Sequence, residues 1–303
     1  MDEPLIECVP NFSEGRRPEV VEAIVSAMRV EGVRLLDWSL DADHNRSVVT
    51  IAGPPAAVVE SAVRGAGRAA ELIDLTTQDG VHPRIGAADV IPFVPVRGVG
   101  LEQCVLLARQ AGMEIWRRWQ VPVYFYEAAA ARPDRAMLEE VRRGQFEGLR
   151  EAVLKEPARR PDVGGPGLHP TAGASAVGAR RFLIAFNVFL DTPDVAVARA
   201  VAREIRHSGG GLAAVKAIGV TAHGQAQVSM NLTDFTRTSV GAAFAAVKEK
   251  LARHDVRPVR AELIGLIPEA ALERNSEWMR LLHGFQEDEK VLERRLEKPL
   301  VWP

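Results

Sequence analysis

The order of hydrophobic and polar positions in the first half of the chain predicts a mixture of helices and strands. Helices are predicted where apolar residues recur every three to four positions, at 18–29, 54–73, 101–119 and, with more charge, 134–143 and 145–155. Strands are predicted at short apolar runs, 5–9, 33–38, 46–52 and 122–126. A further strand at 89–96 contains two prolines, which predicts a sheet edge or an irregular strand.

The second half is separated from the first by a stretch rich in proline and glycine, 156–175, which is typical of a linker or a binding loop. Beyond it the pattern predicts a β-α-β-β-α-β order: strand 181–190, helix from 192 or 194 to 207, strands 214–220 and 225–232, helix 238–254 and strand 259–267. The first half begins in the same order and adds one α-β unit.

These patterns predict an α+β protein with two ferredoxin-like (β-α-β-β-α-β) subdomains side by side, at 1–180 and 181–303. The tail from 273 is charged and is predicted to be helical. The two internal glycines of the second helix, Gly65 and Gly67, are expected to mark close packing against the sheet.

Composition narrows the class of protein. The formal net charge of the 303 residues is −2, which argues against nucleic acid or an anionic membrane as a partner. The start of the chain does not resemble a signal peptide, and the longest apolar run, 182–190, is too short to span a bilayer. Cys8 and Cys104 are too few for a disulfide framework or a zinc site, so we expect a soluble, cytoplasmic protein.

Two polar stretches near the first strands allow both a structural and a functional interpretation. In PNFSEGRR, 10–17, Asn11 or Ser13 is suited to cap a helix, but the stretch is equally suited to line a cleft. In DADHNRSVVT, 41–50, good turn formers explain Asp41, Asp43 and Asn45. They do not explain Arg46, and no second acid cluster supports a metal site, so no metal is expected.

The stretch DGVHPRIGAADVIPFVPV, 79–96, carries the strongest candidate for chemistry. Taken alone, His82 fits a turn histidine and Arg84 a surface charge. Pro83 stiffens the backbone next to His82 and favours an extended conformation there, which is the preorganisation that a catalytic base requires.

Six motifs, in order, resemble the formiminotransferase part of formiminotransferase-cyclodeaminase and its stand-alone bacterial relatives. They are ECVPNFSEGR, DADHNRSVVT, DGVHPRIGAADVIPFVPV, GASAVGARRFLIAFNVFL, GGGLAAVKAIGV and QVSMNLTDF, and they span about residues 6–270. The resemblance implies transfer of a formimino group from N-formimino-L-glutamate to N5 of tetrahydrofolate. It also implies two ferredoxin-like subdomains with the ligands between them, and a homodimer. No counterpart of the cyclodeaminase domain follows.

The resemblance also assigns site residues. The family's catalytic histidine corresponds to His82. Its folate-contacting loop corresponds to Val163, Gly164, Gly165, Pro166, Gly167, Leu168, His169, Pro170, Thr171 and Ala172. One departure concerns the amino-acid substrate: relatives usually carry Asn-Val-Asn-Leu where this chain has Asn187-Val188-Phe189-Leu190, so an aromatic ring replaces one amide.

The chemistry implied by the resemblance suggests roles for the remaining residues. A histidine with a pKa near 7 can take a proton from the attacking amine and return one to the leaving nitrogen. Both substrates carry two carboxylates, so the candidate partners are Arg46, Arg84 and Arg180, with Asn11, Asn45 and Asn187 as further substrate contacts. Arg84 either holds a carboxylate or braces its loop. Asp41 or Asp43 either orients His82 or stabilises the amidinium.

Two alternatives to formimino transfer stay open. One is formyl transfer between 5-formyltetrahydrofolate and glutamate at the same site. The other is a folate-binding or amino-acid-binding module without turnover, against which the histidine argues.

Overall fold

The computed structural model describes residues 3–80 and 82–303, which divide into two compact units. The first unit runs to Arg180 and also contains Pro299–Pro303, and the second comprises Arg181–Lys298. The fold is mixed α+β, with a seven-stranded sheet among the described residues of the first unit and a four-stranded sheet in the second. The sequence pattern predicted a second subdomain that runs to residue 303, whereas Pro299–Pro303 belong to the first unit.

The first unit holds seven strands. They are β1 Leu5–Cys8, β2 Asn11–Phe12, β3 Arg34–Asp41, β4 Arg46–Gly53, β5 Ala88–Arg97, β6 Val123–Glu127 and β7 Ser175–Ala179. The strands are ordered β1-β4-β2-β5-β7-β6 across the sheet, and β3 pairs with β4. Its helices are α1 Pro18–Ala27, α2 Pro55–Leu72, α3 Leu101–Trp119, α4 Leu138–Val141 and α5 Gln145–Lys155.

Strand β5 lies inside the sheet rather than at its edge, and its pairing is irregular, which is the second of the two possibilities that its prolines predicted. It pairs antiparallel with β1 and β2 and parallel with β7. A proline cannot donate to the ladder, and such residues are tolerated where pairing is irregular. The register against β1 shifts beside the pair Ile6–Pro95, which accommodates one of the two prolines.

Strand β7 was missed because its sequence, SAVGA, follows directly on the stretch rich in proline and glycine. It is fully buried and pairs parallel with both β5 and β6. Its neighbour β6 alternates between two cores. Val123 and Phe125 join the main core with α1, α2 and α3, while Tyr124 and Tyr126 join a smaller cluster with α5.

The glycines of α2 do mark close packing, but their nearest neighbours come mainly from outside the sheet. A Cβ on Gly67 would lie 2.0 Å from the Trp119 ring at the end of α3. A Cβ on Gly65 would lie 2.7 Å from the side chain of Met28, just after α1. The missing side chains therefore let three helices pack closely together.

The second unit contains four strands and several helices. Its strands are β8 Ile184–Leu190, β9 Val215–Ala222, β10 Gln225–Leu232 and β11 Pro258–Ile264, antiparallel in the order β11-β8-β10-β9. Its helices are α6 Val195–Ile205, α7 Val240–Leu251, α8 Glu277–Arg280, α9 Glu287–Lys290 and α10 Leu292–Glu297. The tail predicted to be helical thus contains three short helices and turns.

The chain returns to the first unit at its last five residues. The backbone N–H of Leu300 donates to the carbonyl of Leu35 in β3 at 2.7 Å, and Ser26 Oγ donates to the carbonyl of Pro303 at 3.2 Å. Leu300 and Trp302 pack against the main core of this unit. In the part of the chain that the structure describes, no helix is both long and apolar enough to cross a bilayer.

Candidate active site

The guanidinium of Arg46 contacts three polar side chains of the first unit. Arg46 opens β4 and is 8% exposed. Its Nη1 donates to Asp89 Oδ2 at 2.9 Å and lies 3.0 Å from His82 Nδ1, while its Nε donates to Asn11 Oδ1 at 3.0 Å. Arg46 therefore connects four parts of the unit: the start of β4, the short strand β2, the loop before β5 and the start of β5.

Asp89 is the buried anion of this cluster. It is the second residue of β5 and has no exposed surface. Its Oδ1 accepts the backbone N–H of Ile85 at 2.8 Å, and its Oδ2 accepts from Arg46 and from Arg142 Nη2. Arg142 directly follows α4. One carboxylate thus holds two guanidiniums from separate elements.

The Nδ1 atom of His82 has two neighbours that require opposite protonation. Arg46 Nη1, 3.0 Å away, only donates, so a hydrogen bond with it needs a lone pair on Nδ1. The carbonyl oxygen of Pro83, 2.8 Å away, only accepts, so a bond with it needs a proton on Nδ1. The neutral ring can satisfy one neighbour at a time.

The surroundings of His82 favour the neutral imidazole. Burial lowers its pKa most, and the charges of Arg46 and Arg142 lower it further. Asp89 and the Pro83 carbonyl oppose them, and the pKa falls to about 3. For the Asp89 carboxyl, burial raises the pKa, but Arg142, Arg46 and the Ile85 N–H outweigh burial and lower it to about 2. At neutral pH the cluster therefore contains two cations, one anion and an uncharged ring.

Arg84 takes part in a different set of contacts from His82. It is 8% exposed, and Glu147 of α5 accepts from its Nη2 at 2.9 Å and its Nη1 at 3.3 Å. Its Nη2 also donates to the carbonyl of Gln78 at 2.8 Å. Of the two roles that the sequence allowed, these contacts favour bracing of the loop. The other role, binding of a substrate carboxylate by Arg84, is untested.

Asn45 connects three loops. Its Oδ1 accepts the backbone N–H of Gly15 at 3.0 Å, and its Nδ2 donates to the carbonyl of Asp79 at 2.8 Å. Its φ of 48° is left-handed, which asparagine tolerates better than most residues. Both ends of the amide are therefore engaged within the unit, close to the segment that carries His82.

The acids of the same loop lie at the surface. Asp41 Oδ2 is 2.7 Å from His44 Nδ1, and the His44 ring stands edge-on to the His82 ring with 6.3 Å between centroids. Asp41 thus approaches His82 only through His44. Asp43 is exposed. Orientation of His82 or stabilisation of an amidinium by either acid remains untested.

The predicted folate loop, 163–172, is joined to the His82 segment by backbone hydrogen bonds. Ala87 N donates to the carbonyl of Ala172 at 2.9 Å, and Leu75 N donates to the carbonyl of Thr171 at 2.9 Å. Within the loop, His169 Nδ1 accepts the N–H of Ala172 at 3.0 Å. Burial lowers the pKa of His169.

The other end of the loop is fixed to β6 and α3. Val163 exchanges two backbone hydrogen bonds with Val123, at 3.0 and 3.1 Å. A Cβ on Gly164 would lie 2.5 Å from the Trp116 ring. The space beside Gly164 is therefore occupied by the Trp116 ring.

The last predicted site residues lie farther along the chain. Arg180 follows β7, and its backbone N–H donates to the carbonyl of Phe93 at 3.1 Å. Asn187, in β8 of the second unit, donates through Nδ2 to Glu262 Oε2 at 3.4 Å. Phe189 is fully buried, with Arg260 3.7 Å above its ring centroid and the His223 ring stacked at 6.1 Å.

Asp89 and Arg142 are the two residues of the cluster that sequence reasoning missed. An acid inside the buried run AADVIPF was a detectable signal, because a buried carboxylate needs a partner. Arg142 had no such signal, since it lies in a charged stretch typical of a solvated helix. Among the described ranges, no three His, Cys, Asp or Glu side chains are grouped as metal ligands would be.

The cluster brings a histidine, two arginines and an aspartate into contact, and comparison with known proteins identifies the family. The N-terminal subdomain of the formiminotransferase domain matches residues 5–180, and the formiminotransferase domain that follows it matches 185–293. This chain belongs to the formiminotransferase family. The resemblance seen in the sequence is confirmed.

Three curated relatives give the particular members that the chain is similar to. Glutamate formimidoyltransferase of Streptococcus pyogenes serotype M1 is 43% identical, over 96% of this chain and 98% of the relative. The protein of the same name from Thermoplasma acidophilum is 44% identical, over 97% and 98%. Formimidoyltransferase-cyclodeaminase of Mus musculus is 41% identical over 88% of this chain but only 51% of its own length.

Solved structures add little to this picture. A microcompartment protein from Desulfitobacterium hafniense DCB matches with a TM-score of 0.23 and 13% identity, over 86% of this chain and 93% of that one. A likeness of this size carries no argument about fold or function.

Proposed function

We propose that this chain transfers the formimino group of N-formimino-L-glutamate to N5 of tetrahydrofolate, which serves as co-substrate. The products are 5-formimino-tetrahydrofolate and glutamate. The observation that carries the proposal is the neutral His82 imidazole beside buried Arg46, in a chain matched along its length by stand-alone glutamate formimidoyltransferases. Transfer from one nitrogen to another requires a residue that exchanges protons with both. The carboxylates of the two substrates require further residues that bind them.

His82 acts as the general acid and base. N5 attacks the amidine carbon, the new bond leaves N5 positively charged, and His82 takes the N5 proton. The same proton then moves to the glutamate nitrogen as its bond to the carbon breaks, so the ring ends neutral. A positioned base of this kind contributes roughly 10² to 10⁴ in rate, and alignment of the two substrates supplies most of the rest.

Transfer is direct, without a covalent enzyme intermediate. Both cysteines are buried, and burial raises the pKa of Cys8 well above its usual value and that of Cys104 to about 11. Neither thiol is therefore a good nucleophile at neutral pH. A burst of glutamate release in the absence of tetrahydrofolate would contradict direct transfer.

Substrate recognition is divided between the loop at 163–172 and the arginines. The loop binds the folate, supported by its backbone hydrogen bonds to Ala87 and Leu75 beside the His82 segment. Arg46 and Arg180 bind substrate carboxylates, because guanidinium and carboxylate match in charge and geometry. Asn11 and Asn187 are further substrate contacts in this proposal.

Three finer features belong to the same proposal. Both units are ferredoxin-like, which the sheet order β11-β8-β10-β9 of the second unit supports. The protein is a homodimer, as the resemblance implies. It is cytoplasmic, and the two free, buried cysteines are consistent with a reducing compartment.

The test is an assay with two donors. The protein is incubated with N-formimino-L-glutamate and tetrahydrofolate, and the folate product is followed by absorbance. A parallel reaction contains 5-formyltetrahydrofolate and glutamate. Faster turnover in the first reaction supports the proposal, faster turnover in the second supports formyl transfer, and folate binding without product in either supports a binding module.

A further inference from the structure

The cluster around His82 contains one more cation than it has anions to neutralise. The charged groups with the largest effect on the ring are Arg46, Arg142 and Asp89, and the His44 ring lies edge-on to it with 6.3 Å between centroids. Asp89 Oδ2 is shared between the two guanidiniums, so a single carboxylate serves both. An arrangement of this kind attracts one further anion.

Arg142 also has an unused donor. Its Nε is buried and has no hydrogen-bond partner among the described residues, although its Nη2 is bound to Asp89. A buried guanidinium N–H without an acceptor is costly, so a group that accepts from it is expected in the working enzyme. Asp89 fixes the guanidinium through Nη2, and the Nε–H remains as a donor for a ligand.

We propose that Arg46 and Arg142, held together by Asp89, bind one carboxylate of the glutamyl substrate, and that this carboxylate draws Arg46 away from His82 Nδ1. The Nδ1 atom then carries the ring proton and donates to the carbonyl of Pro83, which already lies 2.8 Å away. The lone pair moves to Nε2, which becomes the base. No proton is gained or lost in this step, since the neutral ring only changes tautomer.

The consequence is that His82 Nε2 becomes able to accept a proton only when the substrate carboxylate is bound. Without the carboxylate, Arg46 holds the Nδ1 lone pair and the two cations oppose protonation. With the carboxylate bound, the added negative charge stabilises the imidazolium that forms when Nε2 takes the N5 proton. This inference rests on the proposed function, because a glutamyl carboxylate is the ligand that it names.

The test is nitrogen-15 NMR of the histidine rings, which distinguishes a ring nitrogen that carries a proton from one that does not. The His82 signals are identified by their absence from the His82→Gln spectrum. Spectra are recorded without ligand, with saturating L-glutamate, and with sodium chloride at the same ionic strength. The expected result is an unprotonated Nδ1 without ligand or with chloride, and a protonated Nδ1 with glutamate.

Glutamate affinity, measured by calorimetry, tests the role of Arg142. Arg142→Met is expected to bind L-glutamate about 10- to 100-fold more weakly, the usual loss for a hydrogen bond to a charged group. Arg143→Met is the matched control, because Arg143 is the exposed neighbour of Arg142 and pairs with Glu140. The affinity of Arg143→Met for L-glutamate is expected to equal that of the wild type. Arg142→Lys keeps the charge without Nε and is expected to give intermediate affinity.

Two results would overturn the inference: a wild-type His82 spectrum that is the same with and without saturating glutamate, or equal glutamate affinity in Arg142→Met and wild type. If Arg142→Met does not fold, the wild-type spectra still decide. Turnover of the wild-type protein, measured beside its His82 spectra, distinguishes failure of this inference from failure of the proposed function. Turnover without a His82 response removes the inference alone, whereas a His82 response without turnover on either donor removes the proposed reaction and leaves the anion site.

Discussion

The Nη1 atom of Arg46 lies 3.0 Å from the Nδ1 atom of His82. The ring that is expected to exchange protons is thus held beside a permanent cation. Because Arg46 is also bound to buried Asp89, the position of the ring is coupled to the start of β5 rather than to its own loop alone.

Replacement of His82 by glutamine is expected to abolish most turnover and leave the fold intact. The ring contributes little to the cores, whereas loss of a general base typically costs roughly 10² to 10⁴ in kcat. Steady-state kinetics with formiminoglutamate and tetrahydrofolate, with circular dichroism for the fold, would check this. His207→Gln, at an exposed position of the second unit, is the control. Near-normal kcat at neutral pH in His82→Gln would make His82 structural.

Stability is expected to fall as the pH drops below about 6.5, the usual histidine pKa in an unfolded chain. The pKa of His82 in the folded protein is about 3, so between these values the unfolded chain binds a proton that the folded protein does not. This contribution is complete above pH 6.5 and is lost as the pH falls towards 3, with a slope of up to about 1.4 kcal/mol per pH unit.

Urea unfolding of wild type and His82→Gln at pH 7.5, 6 and 5 would measure this effect. The variant lacks the group, so its stability is expected to change less over this range. Asp89, whose pKa is lowered to about 2, acts in the same direction only below about 3.9 and does not interfere. Equal slopes for the two proteins would show that His82 titrates normally in the folded state.

Arg84→Met is expected to reduce stability and leave the KM values unchanged. The change removes the pair with Glu147 and the donor to the carbonyl of Gln78, at a cost of about 1–3 kcal/mol. Urea unfolding and KM measurements would separate the two roles. Arg68→Met, which breaks an exposed pair with Glu71, is the control and costs at most about 1 kcal/mol. A raised KM at unchanged stability would instead assign Arg84 to a substrate carboxylate.

Asn45→Ala is expected to destabilise the unit by about 1–3 kcal/mol, because Gly15 N and the carbonyl of Asp79 both lose their partner. Alanine is also less tolerant of the left-handed φ of 48°. Asn45→Asp keeps the acceptor for Gly15 N and loses the donor to Asp79, so a smaller loss is expected. If both variants unfold at the wild-type urea concentration, the amide has no bracing role.

Two helical glycines are expected to respond in opposite ways to alanine. In Gly67→Ala the new Cβ would meet the Trp119 ring, so a loss of roughly 1–3 kcal/mol is expected. In Gly148→Ala, inside α5, the Cβ has nothing within 4 Å, and a gain of about 0.5–1 kcal/mol is expected from helix propensity. Thermal unfolding of both variants would check this, and a stabilised Gly67→Ala would show that α2 and α3 pack less tightly.

Periodicity predicted most elements of the fold, since helices such as α3 and α7 bury one side and expose the other. Periodicity failed where pairing with other strands decides whether a segment is a strand and where that strand lies in the sheet. The prolines of β5 indicated either an edge strand or an irregular one, and only the pairing shows that it is an irregular strand inside the sheet. Strand β7 is short and rich in alanine, and it becomes recognisable as a strand only through its partners β5 and β6.

The polar residue types of the candidate site could be predicted from the sequence, but the pairs that they form could not. Arg46 stood out because turn formation does not explain it, and His82 because Pro83 stiffens the backbone beside it. That Asp89 joins Arg46 to Arg142 depends on contacts 43 and 53 residues apart in the chain, and nothing local in either stretch encodes them. For the same reason the Arg84–Glu147 pair could not be distinguished from a free arginine by sequence alone.

The return of residues 299–303 to the first unit has a practical consequence for dissecting the protein. A fragment that stops at Arg180 would lack the strand-edge bond from Leu300 to Leu35 and the packing of Trp302. A single proteolytic cut near residue 181 would leave the terminal peptide still attached to the second unit and bound to the first. Separate expression of the first unit therefore calls for a fusion that reconnects residue 180 to Pro299 through a linker long enough to reach from the end of β7 to β3.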